Sequence, residues 1–196
     1  MSHAAPAVDA REVVDFWFAP AQARHWFAAS EAFDERIRRR FGAAVGAALD
    51  GRLDGWADAA GGWLALLLLL DQFPRNIHRG TPAAWAGDVR ASRLALSGLS
   101  RGMDRQLPAQ QRVFAYLPLE HAEDSALQQR SVALFEALAA EVGPAQRERF
   151  AGYLDYARRH RDVIARFGRF PHRNAALGRA SSAEEARYLA ETGAGF

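Results

Sequence analysis

Guanidinium, imidazole and amide groups crowd two short stretches of this chain. DQFPRNIHRG carries Asp71, Arg75, Asn76, His78 and Arg79, and GRFPHRN carries Arg169, His172, Arg173 and Asn174. Arginine forks onto carboxylates and phosphates, while an asparagine side chain both donates and accepts. Such groups suit a small anionic or polar ligand, with Arg75, Arg169 and Arg173 neutralising it and Asn76 and Asn174 orienting it. A third stretch, YLPLEHAEDS, supplies Glu120, His121 and Glu123, and a lone His160 follows in ARRHRD. If a reaction occurs, His160 or His121 is the expected general base, oriented by Asp71 or Glu120. A hydrolase-like enzyme is one form of such a site. The other class is a non-enzymatic helical scaffold that presents exposed aromatics, Trp56 or Trp85, to a protein partner.

Each of these residues also has a structural reading. Asp71 closes a run of leucines at a helix end, where the macrodipole disfavours an anion by about 0.3–1 kcal/mol. Arg75 is the nearest compensation, either pinning the loop or facing a carboxylate in a pocket. Arginines after helices also cap carbonyls. Tyr153, Ala157, His160, Ile164 and Phe167 share one helical stripe, so His160 faces inward, and a buried histidine is more often a hydrogen-bonded core residue than a catalyst. Acids favour helix N-termini, which accounts for Asp124 and competes with a site role for Glu120 and Glu123.

Composition removes other chemistries. The 196 residues contain no cysteine, which excludes disulfides, cysteine-ligated zinc and thiol nucleophiles. All 25 basic residues are arginine, so lysine Schiff bases and a P-loop lysine are impossible. No G-x-S-x-G, Walker A, G-x-G-x-x-G, HExxH or Glu-x-x-His pattern occurs, so neither a cofactor nor a metal site is expected. Residues 145–180 hold nine arginines against Glu148, Asp155 and Asp162, although the whole chain carries only +2. That total is too small to favour a nucleic-acid partner. The greasiest stretch, Trp63–Leu70, is far shorter than the roughly 20 residues a membrane span needs. The N-terminus lacks a signal-peptide pattern, so a cytoplasmic location is expected.

The elements that must position these groups read as helices throughout, with no alternating β-branched runs. Asp9 and Glu12 form a capping-box pattern. Ser30 caps a helix whose apolar positions are Phe33, Ile37, Phe41, Val45 and Ala48. A third helix runs from about Asp58 to Asp71 and is stopped by Pro74. Thr81 caps a helix opened by Pro82, and Asp88 restarts or continues it. Pro108 opens and Pro118 closes a short helix, Ser125 with Gln128 caps the next, and Gly143-Pro144 separates it from one ending at Gly168. Ser181 with Glu184 caps the last helix, and TGAGF is expected as a loose tail. Short connections imply antiparallel helical hairpins stacked into one compact bundle. The expected organisation is a single helical domain over residues 1–196, with its ordered core about 9–190.

The segments DFWF, HWFAASEAFDERIRRRF, LLLLDQFPRNIHRGTPAAWAGD, YLPLEHAED, HRDVIARFGRFPHRNAALGR and SSAEEARYL closely resemble a bacterial family known as domain of unknown function 924. The resemblance spans roughly Asp9 to Leu189. It implies an all-helical, tetratricopeptide-like fold and carries no activity. The motif positions it implies fall on Asp71, Gln72, Phe73, Arg75, Asn76, Glu120, His121, Glu123, His160, Phe170, Pro171, His172, Arg173 and Asn174. Ala122 stands where the family often has serine. From residues and resemblance together, the two Phe-Pro segments, His160 and the Glu120–Glu123 stretch are expected to converge on one polar pocket.

Overall fold

The computed structural model describes residues 8–192 of the chain; the expectations for the extreme N-terminus and the final tail lie outside that range. The described residues form α-helices and short 3₁₀ turns with no strand. By the packing of its backbone the chain divides into two compact units, Met1–Ala115 and Tyr116–Phe196.

The first unit holds α1 (Ala10–Phe18), α2 (Glu31–Leu49), α3 (Ala60–Leu67), α4 (Phe73–Ile77) and α5 (Asp88–Ser100). Asp9 and Glu12 close the expected capping box on α1, and Ser30 accepts from the amide of Phe33 to cap α2. α1 packs on α3, α2 on α4, and α3 on α5. Phe16, Trp17, Phe33, Phe41 and Phe73 pack ring against ring between them, with centroids 4.9–6.4 Å apart. All of Leu64–Leu70 is buried, which explains a helix with no polar face.

Pro74 does not end that helix. The chain passes through a π turn at Leu68–Gln72, where the Phe73 amide bonds back to Leu68, and continues as α4 with Phe73 in helical conformation. A proline lacks the amide hydrogen that an α-helix would return to the carbonyl four residues earlier, and the wider turn absorbs the mismatch. That carbonyl, on Leu70, is met by Gly87, where an added Cβ would lie 2.1 Å from the oxygen. Thr81 makes no cap: its hydroxyl bonds to the His78 carbonyl, and Pro82 opens a 3₁₀ turn that hands over to α5 at Asp88.

α6 (Ala109–Glu120) leads into the second unit, which holds α7 (Ser125–Glu141), α8 (Arg147–Phe167) and α9 (Ala183–Thr192). Pro118 lies inside α6 rather than after it. Val113 to Glu120 are all buried, and that packing outweighs a proline penalty of about 3 kcal/mol. The cap of α7 is Asp124, which accepts from the amides of Ala126 and Leu127; Ser125 is already helical. That cap lies one residue earlier than the sequence pattern suggests, and the cap of α9 one residue later, on Ser182 with Glu185. α7 and α8 form an antiparallel hairpin, with Glu136 of one bonded to Arg158 of the other. Gly168 ends α8 in the left-handed region at φ 70°, as its position predicts.

Candidate functional site

In the first unit the Phe-Pro segment is built into the helix itself. Arg75 bonds to both oxygens of Asp88 at 2.8 and 2.9 Å, to the Asp71 carbonyl at 2.8 Å and to the Asp71 carboxylate at 3.1 Å. Burial works against the Arg75 charge, but Asp71 and Asp88 outweigh it and raise its pKa above the ordinary value. Gln72 donates to the other oxygen of Asp71. One turn on, Asn76 donates to Asp34 at 2.7 Å, and Arg79 forks onto the same carboxylate at 2.9 and 3.1 Å. Asp34, Asn76, His78 and Arg79 line a cleft of about 530 Å³ together with Glu31 and Arg38. Asp71 therefore sits within a π turn and not at a helix end, and its compensation comes from Arg75, as expected.

The second unit gathers the remaining residues at the junction of α6 with α7. Glu120 and His121 end α6. Gln128, fully buried on the first turns of α7, donates to the carbonyls of Glu120 and Ala122 and ties off that end. Arg173 donates to the carbonyl of His121 at 3.0 Å, so a cation meets the negative end of the helix. Its guanidinium stacks over the Phe170 ring at 4.5 Å. His160, inward-facing on α8 as its stripe predicts, has Nδ1 2.9 Å from the Tyr156 carbonyl and 3.3 Å from a Glu120 oxygen. Its ring lies 6.0 Å from that of His121 and 5.5 Å from Phe170, which in turn lies 5.6 Å from His172. With one donor atom taken from each, Glu120, His121 and His160 fall within 4.8 Å of one another.

The Tyr156 carbonyl only accepts, so its contact with Nδ1 calls for the proton on that nitrogen, and Nε2 is then the acceptor nitrogen of the neutral ring. Burial, the positive potential of His121 and the charge of Arg173 push His160 down to about 3, while the bond to Tyr156 pulls the other way. The imidazole is thus neutral near pH 7. It is a weak proton acceptor there, since an effective general base has a pKa near the working pH.

Three of the expected ligand-binding residues hold the segment after α8 in place. Glu123 accepts from the Phe170 amide at 2.8 Å and from Arg179 at 2.6 and 2.9 Å. Burial would raise its pKa, but these bonds and the charges of Arg179 and Arg173 hold it below the usual carboxylate range. Asn174 donates to Ser181 and accepts from Arg179. Arg169 forks onto Glu185 at 2.7 and 2.8 Å, and this pair with the Ser182 amide keeps Glu185 down at about 2. Other arginines of the basic third are also paired: Arg158 with Glu136, Arg159 with Asp155, Arg161 with Asp162 and Arg166 with Glu184.

Sequence reasoning missed Gln128, Arg179 and Asp88. Gln128 reads in the sequence as a capping-box partner and Arg179 only as one of the nine arginines of residues 145–180; no local spacing signals either role. Trp56 and Trp85 are half-buried rather than exposed. The large apolar side chains with most exposure are Phe27 and Val89, at 63% and 64%. Among the described residues, no helix is long and apolar enough to cross a membrane.

Comparison with known proteins returns one family model, described as a bacterial protein of unknown function (DUF924), which matches residues 13–193. A solved protein of unknown function from Agrobacterium tumefaciens, ATU0120, is similar at 45% identity and a TM-score of 0.83. The match covers 93% of this chain and 97% of that one. No curated protein matches.

Proposed function

The chain belongs to the bacterial family of unknown function DUF924, and from that premise we propose that its second unit binds a small anionic or polar ligand at Glu120, His121, His160 and Arg173. One observation carries this reading: the side-chain donors of Glu120, His121 and His160 lie within 4.8 Å of one another beside a largely buried guanidinium. Buried charge is costly, so a carboxylate, two imidazoles and an arginine gathered at one place point to use as well as to packing. Arg173 supplies the positive charge for an anion. The lone pair on Nε2 of His160 and the half-buried ring of His121 supply polar contacts. Glu123, Arg169 and Asn174 shape the surrounding segment, and Asp71, Arg75 and Asn76 do the same within the first unit. A hydrolytic reaction would assign the proton acceptor to His121, because His160 resists protonation.

A thermal-shift screen with phosphates, carboxylates and nucleotides tests the proposal. A ligand that raises the melting temperature of the wild type and not of Arg173→Ala or His121→Asn supports it. The second variant sits at a half-buried position, which guards against loss of folding alone. Silence across the screen would move the balance to the scaffold reading. That second reading is favoured by a groove of about 560 Å³ in the first unit, lined by Leu49, Ala57, Val89 and Leu94 and edged by Arg90 and Arg93.

A further inference from the structure

We propose that Glu120, His121 and His160 together bind a divalent transition-metal ion of the zinc class, and that this ion anchors the anionic ligand. The inference rests on the ligand site proposed above and names its missing chemistry. Two imidazoles and one carboxylate with a further position open form a donor set that zinc accepts in catalytic sites. Ligands about 2.0–2.1 Å from a tetrahedral ion stand roughly 3.3 Å apart. The widest separation allowed by the present arrangement is 4.8 Å, so a contraction of about 1.5 Å closes the shell, within reach of side-chain rotation in Glu120 and His121.

The surrounding bonds are those a metal site needs. A ligating histidine normally donates its other ring N–H to a carbonyl or carboxylate, which fixes the ring and its tautomer. His160 has that arrangement already, with Nδ1 2.9 Å from the Tyr156 carbonyl, so Nε2 is the nitrogen that would coordinate, and Glu120, now 3.3 Å from Nδ1, would turn its carboxylate to the ion. Glu120 and His121 are held from behind, since Gln128 bonds to the carbonyl of the first and Arg173 to that of the second. Arg173 opposes an incoming cation when the site is otherwise empty. Once a cation and an anion are both present, it becomes a second point of attachment for the anion. Among the described residues, no other group of three histidines or acids comes together in this way. His160 lies far along the chain from the adjacent Glu120 and His121, with no shared motif, which is why the sequence alone argues against a metal.

The test uses the full chain after metal removal, titrated with Co²⁺ and followed by visible absorption, and with Zn²⁺ followed by calorimetry. Binding of one ion per chain is expected, with the intense visible bands of a four- or five-coordinate Co²⁺ centre. Glu120→Gln and His121→Asn should each weaken it at least tenfold while keeping the metal-free unfolding midpoint near that of the wild type; His78→Asn, in the first unit, should change nothing. Absence of Co²⁺ bands, or binding that both site variants leave intact, overturns the metal. The anion screen repeated on metal-free protein separates the two proposals. An anion shift there without metal binding leaves the ligand site standing and removes the ion, whereas loss of both removes both.

Discussion

Replacing Gln128 with methionine keeps the length of the side chain and deletes its amide. In the structure that amide donates to two carbonyls at the end of α6, on Glu120 and Ala122, from a position with no solvent exposure. Each lost bond to a buried carbonyl costs about 1–1.5 kcal/mol, more where water cannot replace the donor. One gain offsets this: the other amide atom, Oε1, is buried with no hydrogen-bond partner among the described residues, and methionine removes it. The net loss should be about 1–3 kcal/mol, equivalent to roughly 2–10 °C in melting temperature for a chain of this size. Urea unfolding followed by circular dichroism measures the first, and a thermal scan the second. Because the amide also fixes the backbone of Glu120 and His121, Co²⁺ binding should weaken more than global stability accounts for. A variant as stable as the wild type would refute the claim that this one side chain closes α6.

Two further substitutions test the close packing and the paired carboxylates. Gly98 lies against the Trp63 indole, where a Cβ would come 2.2 Å from a ring carbon, and the same indole donates to the Leu94 carbonyl at 2.8 Å. Gly98→Ala should cost about 2 kcal/mol after the helix preference for alanine is allowed for, with a shift in tryptophan emission; unchanged emission and stability would contradict it. Glu185 is held at about 2, below its ordinary value of 4.5, so its stabilisation is present above pH 4.5 and is lost as the pH falls toward 2. Wild type should therefore lose more urea resistance between pH 7 and pH 3 than Glu185→Gln, and equal losses would show that the Arg169 pair contributes nothing.

Helix content, the left-handed cap at Gly168 and the inward face of His160 were readable because each depends on residues within one or two turns. The leucine run was readable as a buried helix for the same reason. Its end was not, because the preference of Phe73 to leave the helix before a proline is small beside the burial of Phe73 and Ile77. Likewise Pro118 reads as a stop, yet the packing of Leu117 and Leu119 carries α6 past it. The caps on α7 and α9 were displaced by one residue, since Asp124 and Ser182 offer oxygens as good as those of their neighbours. The site was legible as a set of residue types and not as a set of partners. The return of α8 beside the α6–α7 junction depends on how two long helices pack, and no short pattern records that. So Glu123 with Arg179 and Arg169 with Glu185 could not be paired beforehand, while Asp71 with Arg75, one helical turn apart, could.

The wide turn at Leu68–Gln72 makes the length of the leucine stretch a matter of phase. One residue more or less advances a regular helix by about 100°, and the turn holds one extra residue without breaking the axis. Trimming a single leucine would let the segment relax to ordinary winding while Arg75 and Asn76 keep their direction, because the wide turn already takes up the extra residue. Adding one more, with the turn already filled, would swing everything beyond it by about 100°, carrying Arg75 away from Asp88 and Asn76 away from Asp34. Five leucines in a row look interchangeable, but a sixth would change which way the polar groups beyond them point.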